Sequence, residues 1–226
     1  ISAQNFQSHT ATLSFTRELE NFEAGLEYSF NHNTLDEQKF LRIHTISPSV
    51  SFFPQPTLYT TLGYDFLRKD FFSDRERDGF TNRVAANQFM FFAESKGYIL
   101  LGLQYELETT FAPQYDLKSV YLNPVLQLPL AWAMTKSGWP SLAALMPRDA
   151  QARLGFSYRR KDYTKETASI GEERLDKTRN YGAALSAKIL QDLKAEISFS
   201  HTDTDSNLVS VVSTENVWAL TFSLDF

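Results

Sequence analysis

The sequence predicts an all-β fold, an antiparallel transmembrane β-barrel of about twelve strands (range about ten to fourteen), and three observations predict it. Segments of about ten residues alternate large apolar with small polar side chains at a period of two. The connections between them alternate between short and long, and the long ones carry most of the charge. No run of about 18 apolar residues exists, so no transmembrane helix competes for the assignment.

Composition narrows the class further. The 226 residues suit one domain, 1–226. With no cysteine, neither a disulfide framework nor a thiolate site is available. A net charge of −5 carries no basic excess, which argues against nucleic acid as a partner. The 19 Phe and 10 Tyr suit a lipid-facing surface with interfacial girdles. Mean hydropathy is −0.32, the value expected when a polar lumen and charged loops offset that surface. No basic stretch followed by an apolar core opens the chain, so a signal peptide is absent or already removed. The start at Ile1 suggests a processed or trimmed chain.

Taken in order, the first strand spans 8–17, with Ala11, Leu13 and Phe15 on one face and threonines and serines on the other. After a polar turn at 18–20, Phe22, Ala24, Leu26, Tyr28 and Phe30 alternate with Glu23, Gly25, Glu27 and Ser29. A polar loop at 31–39 leads to a third strand, 46–52. Pro48 lies inside it and predicts a local bulge, because proline donates nothing to a ladder. The turn at 54–56 returns a fourth strand through Leu58, Leu62, Tyr64 and Phe66, followed by a long charged loop, 68–79.

The fifth segment, 81–92, is ambiguous: Val84 and Ala86 share one parity, Phe89 and Phe91 the other, so a bulge or a register error is implied. Beyond 95–97, Ile99, Leu101, Leu103, Tyr105 and Leu107 form a clean sixth strand, and Val120 through Leu128 a seventh. Residues 131–147 break the rhythm. Trp132, Trp139, Gly138 and Pro140 fit either a short interfacial helix or an ordinary connection. Three more alternating segments follow, 150–159, 181–189 and 193–199, separated by a polar loop at 160–178 and a tight turn at 191–192. A loop at 201–215 precedes the last strand.

That closing strand, 217–226, sets Trp218, Leu220, Phe222, Leu224 and Phe226 on one face. An aromatic as its final residue resembles the closing strand of Gram-negative outer-membrane β-barrels. The resemblance implies that these residues form a signal read by the barrel-assembly machinery, and that outer-membrane lipid and lipopolysaccharide surround the chain. The charged loops, the Leu/Ala strands alternating with small polar residues and Ser206-Asn207 before the terminal strand are similar to the C-terminal barrels of tetratricopeptide-repeat outer-membrane proteins, such as the surface lipoprotein assembly modifiers. That likeness implies a periplasmic repeat domain upstream and an exported substrate.

Three constellations bear on chemistry. Asp203-Thr204-Asp205-Ser206-Asn207 opens like a calcium loop, but Leu208 stands where the tight turn needs glycine, so no metal is implied. Ser29 with His32, and His201 with Ser206, offer a Ser/His pair for a lipid hydrolase, without the third group that would orient the histidine. The polar faces carry the stronger pattern. Glu23, Glu27, Asp65 and Glu106 fall in the first half, Arg153, Arg159, Lys161, Lys188 and Lys194 in the second. A closed sheet would set these as opposed charged walls, polarising a pore or zipping it shut.

The resulting expectation is an outer-membrane barrel for transport, secretion or surface display, with a lipid hydrolase or a structural or adhesive barrel as alternatives and no cofactor. Counting gives eleven alternating segments. Single-chain bacterial barrels are even-numbered, so an odd count predicts at least one strand upstream of Ile1.

Overall fold

The structure is a computed structural model and describes residues 5–144, 146–147, 149–190 and 192–224. Eleven strands make one antiparallel meander in which each pairs only with its sequence neighbours. They are β1 (Phe6–Glu18), β2 (Phe22–Leu35), β3 (Gln38–Gln55), β4 (Leu58–Phe71), β5 (Gly79–Phe92) and β6 (Gly97–Thr110). Then come β7 (Leu117–Pro129), β8 (Gln151–Thr167), β9 (Glu172–Lys188), β10 (Leu193–Ser206) and β11 (Ser213–Leu224).

Every expected strand is present, and most run well past the predicted boundary at the end carrying the long connections. The polar loop expected at 31–39 is strand on both sides of a two-residue turn. Asp36 and Glu37 both sit there at positive φ (49° and 65°), the left-handed conformation a tight hairpin turn requires. The loop expected at 160–178 shrinks to 168–171 in the same way. In these extensions both faces are polar, so the ladder continues while the apolar period that announces a strand disappears.

Burial is inverted relative to a soluble sheet. Along β6, Ile99, Leu101, Leu103, Tyr105 and Leu107 are exposed, whereas Gly102, Glu106 and Thr110 between them are buried. The six buried polar residues, Asn33, Thr81, Glu106, Thr110, Ser119 and Asp176, all share the parity of that second set through the strand registers. A sheet shields the face it curls around, so the polar face is the inner one and the apolar face the outer. In water such an outer surface would be an aggregation hazard; lipid is the solvent that stabilises it.

Two expectations about irregularity are corrected. No bulge forms at Pro48: the β3–β4 register is the same on either side, with no paired partner for Ser47 and Pro48. Pro124 leaves the same two-residue gap between β7 and β8. Losing one donor interrupts a ladder locally without shifting it. The register shifts lie instead at 33/34, 52/55 and 162/166. The fifth strand needs neither a bulge nor a new register. β5 pairs without a shift along both edges, and Phe89 and Phe91 simply face inward, clustered with Tyr59 and Tyr98 at ring separations of 5.7–6.4 Å.

The segment at 131–147 forms two short helices, α1 (Leu130–Lys136) and α2 (Pro140–Ala143), at the short-turn end. Trp132 packs at 5.3 Å on Phe92, an outer-face residue, which sets α1 against the rim of the apolar belt. The two edge strands stay open. β1 and β11 are exposed along both faces, and among the described residues they do not pair. In a meander of eleven strands the first and last run in the same direction, so joining them directly would require a parallel pair.

Candidate functional site: the inner wall

The register places all nine charged residues singled out above on the inner face: Glu23, Glu27, Asp65, Glu106, Arg153, Arg159, Lys161, Lys188 and Lys194. One row of directly opposed residues crosses seven strands: Asp65, Arg83, Glu106, Ser119, Lys161, Asp176 and Ser206. Arg83 binds its neighbours on both sides, with Nη1 3.3 Å from Asp65 Oδ2 and Nη2 2.9 Å from Glu106 Oε2. Asp176 accepts from Arg174 Nη2 and from Ser206 Oγ, each at 2.6 Å. Nearer the long hairpins, Lys69 Nζ donates to Glu108 Oε2 at 2.8 Å.

These pairs revise the picture of two opposed walls. Asp65 and Glu106 are bridged by Arg83 in the strand between them, not by a cation across the lumen. Sequence reasoning missed Arg83 because it lies in β5, the one strand whose inward phenylalanines hide the alternation. Among the described residues Glu27 keeps only a hydroxyl partner, Ser14 Oγ at 3.2 Å, and Glu23 stands opposite both Glu18 and Ser51. On the other side of the sheet the guanidinium of Arg159 lies over the Tyr121 ring at 5.1 Å. Lys188 and Lys194 are direct cross-strand partners, with the Lys188 backbone N–H donating to Asp149 Oδ2 at 2.9 Å. Among the described residues, the carboxylates of Glu23 and Glu27 on β2 and of Glu196 on β10 make no ion pair, cations line β8 to β10, and a band of ion pairs runs across β4 to β6.

The inner wall also holds polar atoms that no protein group satisfies. Thr81 Oγ1, Gln104 Nε2, Ser119 Oγ and Arg159 Nε are shielded by the wall yet have no hydrogen-bond partner among the described residues. Thr81 and Ser119 are 0% and 2% exposed. Leaving such groups unpaired costs about 1–3 kcal/mol each unless water or a polar solute reaches them. All four lie on the inner faces of adjacent strands, β5 to β8.

On the outer face a row of aromatics, Tyr28, Tyr105, Tyr158, Tyr181, Phe199 and Trp218, tops the aliphatic belt. Just beyond it sit the ion pairs Arg42–Asp70 (3.2 Å), Arg160–Asp162 (2.8 Å) and Arg179–Asp203 (3.3 Å). Trp218, Leu220, Phe222 and Leu224 continue this exposed face along β11; Phe226 lies outside the described residues. The Ser/His pairs do not assemble. Ser29 faces inward and His32 outward; Ser206 faces inward and His201 outward, where His201 Nδ1 meets Asn216 Oδ1 at 2.8 Å. Asp203 and Asp205, read above as a possible loop, belong to β10 and face outward.

No protein-family model and no curated protein sequence matches the chain. Solved structures do share the fold. OccAB3 of Acinetobacter baumannii is 13% identical with a TM-score of 0.56, over 96% of this chain and 55% of that one. OccAB4 of the same bacterium is 12% identical with a TM-score of 0.53, over 95% of this chain and 51% of that one. The chain thus spans about half the length of these two proteins and shares the fold of that part of them.

Proposed function

We propose, from that fold, that the chain lines a water-filled passage through which small polar solutes cross the bacterial outer membrane. The observation that carries the reading is the inverted burial. An exposed apolar belt faces outward, and the inward wall holds ion pairs together with shielded donors that only water or solute can satisfy. The passage closes through an odd number of further strands between β11 and β1. With one or three more, every pair is antiparallel and no edge is left with unpaired backbone groups in lipid, each of which costs several kcal/mol.

The test is reconstitution into a planar bilayer. Open-channel conductance is expected, with ion selectivity shifted by Glu27→Lys or Arg153→Glu and unchanged by His32→Ala or His201→Ala. Phospholipid cleavage abolished by either histidine substitution would overturn the reading in favour of a hydrolase.

A further inference from the structure

We propose that a depression on the inner wall between β8 and β10 binds a small zwitterion, with the chemistry of a free α-amino acid or a short peptide. This deepens the passage reading and rests on it. The cavity measures about 270 Å³ and is lined by Arg153, Gly155, Asn180, Gly182, Glu196 and Ser198 among others.

Its floor is made by two glycines. Gly155 and Gly182 are direct partners in the β8–β9 ladder, and a Cβ at either would meet nothing nearer than 3.9 Å. Neither is therefore required by crowding, and what their missing side chains create is depth. Its rim carries one charge of each sign. Arg153 stands opposite Ala184, which stands opposite Ser198; Glu196 lies two residues along β10 from that serine. Two strand spacings across and two residues along put the two Cα atoms about 12 Å apart.

Arg153 and Glu196 form no ion pair with each other or with another described residue, whereas Lys69, Arg83 and Arg174 on the same wall are each paired. A solute bearing both a carboxylate and an ammonium satisfies both rims at once. The guanidinium takes the carboxylate in a two-pronged contact, and the Glu196 carboxylate accepts from the ammonium. Asn180 donates its Nδ2 to Thr202 Oγ1 at 2.6 Å, which leaves its carbonyl oxygen to accept from an amide or ammonium N–H. A solute with one charge or none would desolvate a rim group without replacing its partner.

Equilibrium dialysis of the detergent-solubilised protein tests this with glycylglycine and L-alanine as probes. The controls are N-acetylglycine, which is only anionic, glycinamide, only cationic, and N-acetylglycinamide, neutral. At least one zwitterion is expected to bind about tenfold more tightly than every control, and Arg153→Gln or Glu196→Gln to remove about that factor, the effect of one charge-assisted contact. Gly182→Val, whose Cβ fills the floor no nearer than 3.9 Å to the Phe199 carbonyl oxygen, is expected to abolish binding while the far-ultraviolet circular dichroism stays unchanged. Equal binding of zwitterions and controls overturns the proposal. So does a loss on Arg153→Gln without one on Glu196→Gln, since the site would then select anions alone. Swelling of proteoliposomes in arabinose, an uncharged solute, is read separately. Its failure counts against the passage, while the dialysis still decides the site.

Discussion

Arg83 shows how much one inner-wall side chain holds together. It bonds Asp65 and the well-shielded Glu106, so Arg83→Ala leaves two carboxylates without a partner and is expected to cost about 2–3 kcal/mol. Arg68, paired to Asp70 on the outer rim at 3.1 Å, is more than half exposed, and Arg68→Ala is expected to cost less than about 1 kcal/mol. Urea unfolding from lipid vesicles measures both, and equal losses would contradict the distinction between wall and rim. The closing strand offers a second contrast. Leu220 faces outward and Thr221 inward. An arginine on the lipid face costs about 2–4 kcal/mol at mid-membrane, so Leu220→Arg should impair folding far more than Thr221→Arg. Equal tolerance would mean that the apolar face does not meet lipid.

At the scale of the element, legibility followed the solvent. Where one face meets lipid and the other water, as in Ile99, Leu101, Leu103, Tyr105 and Leu107 of β6, the alternation is unmistakable and the strand was read correctly. Past the aromatic row both faces meet water, so Asn31 to Asn33 of β2 and Arg160 to Thr167 of β8 looked like loop although the ladder continues through them. β5 misled for a different reason: Phe89 and Phe91 build an inward aromatic cluster with Tyr59 and Tyr98, which only the pairing of neighbouring strands reveals. The candidate site was legible as a set of polar-face charges. Their local pairing through Arg83 and Lys69 was not, because it depends on cross-strand register. The strand extensions also sharpen an expectation about topology. With the long hairpins outside the cell, protease added to intact cells should cut only at the hairpin tips, within 72–78 and 168–171, and spare the 56–57 turn. Cleavage at 56–57 alone would invert the orientation.

For the molecule as a whole, the central claim is that the polar face lines water and the apolar face meets lipid. The absence of native cysteine makes this directly measurable, since every introduced thiol reports on its own position alone. β9 is the strand of choice. Its register sets Asn180, Ala184 and Ser186 inward and Tyr181, Ala183 and Leu185 outward, in the interior of the sheet and away from both open edges. Single cysteines at these six positions, in protein reconstituted into vesicles, are treated with a membrane-impermeant charged thiol reagent and then with a lipid-soluble maleimide. The account predicts strict alternation: 180, 184 and 186 react with the charged reagent, and 181, 183 and 185 with the maleimide alone. Uniform reactivity along the strand, or charged-reagent labelling confined to 181, 183 and 185, would contradict it.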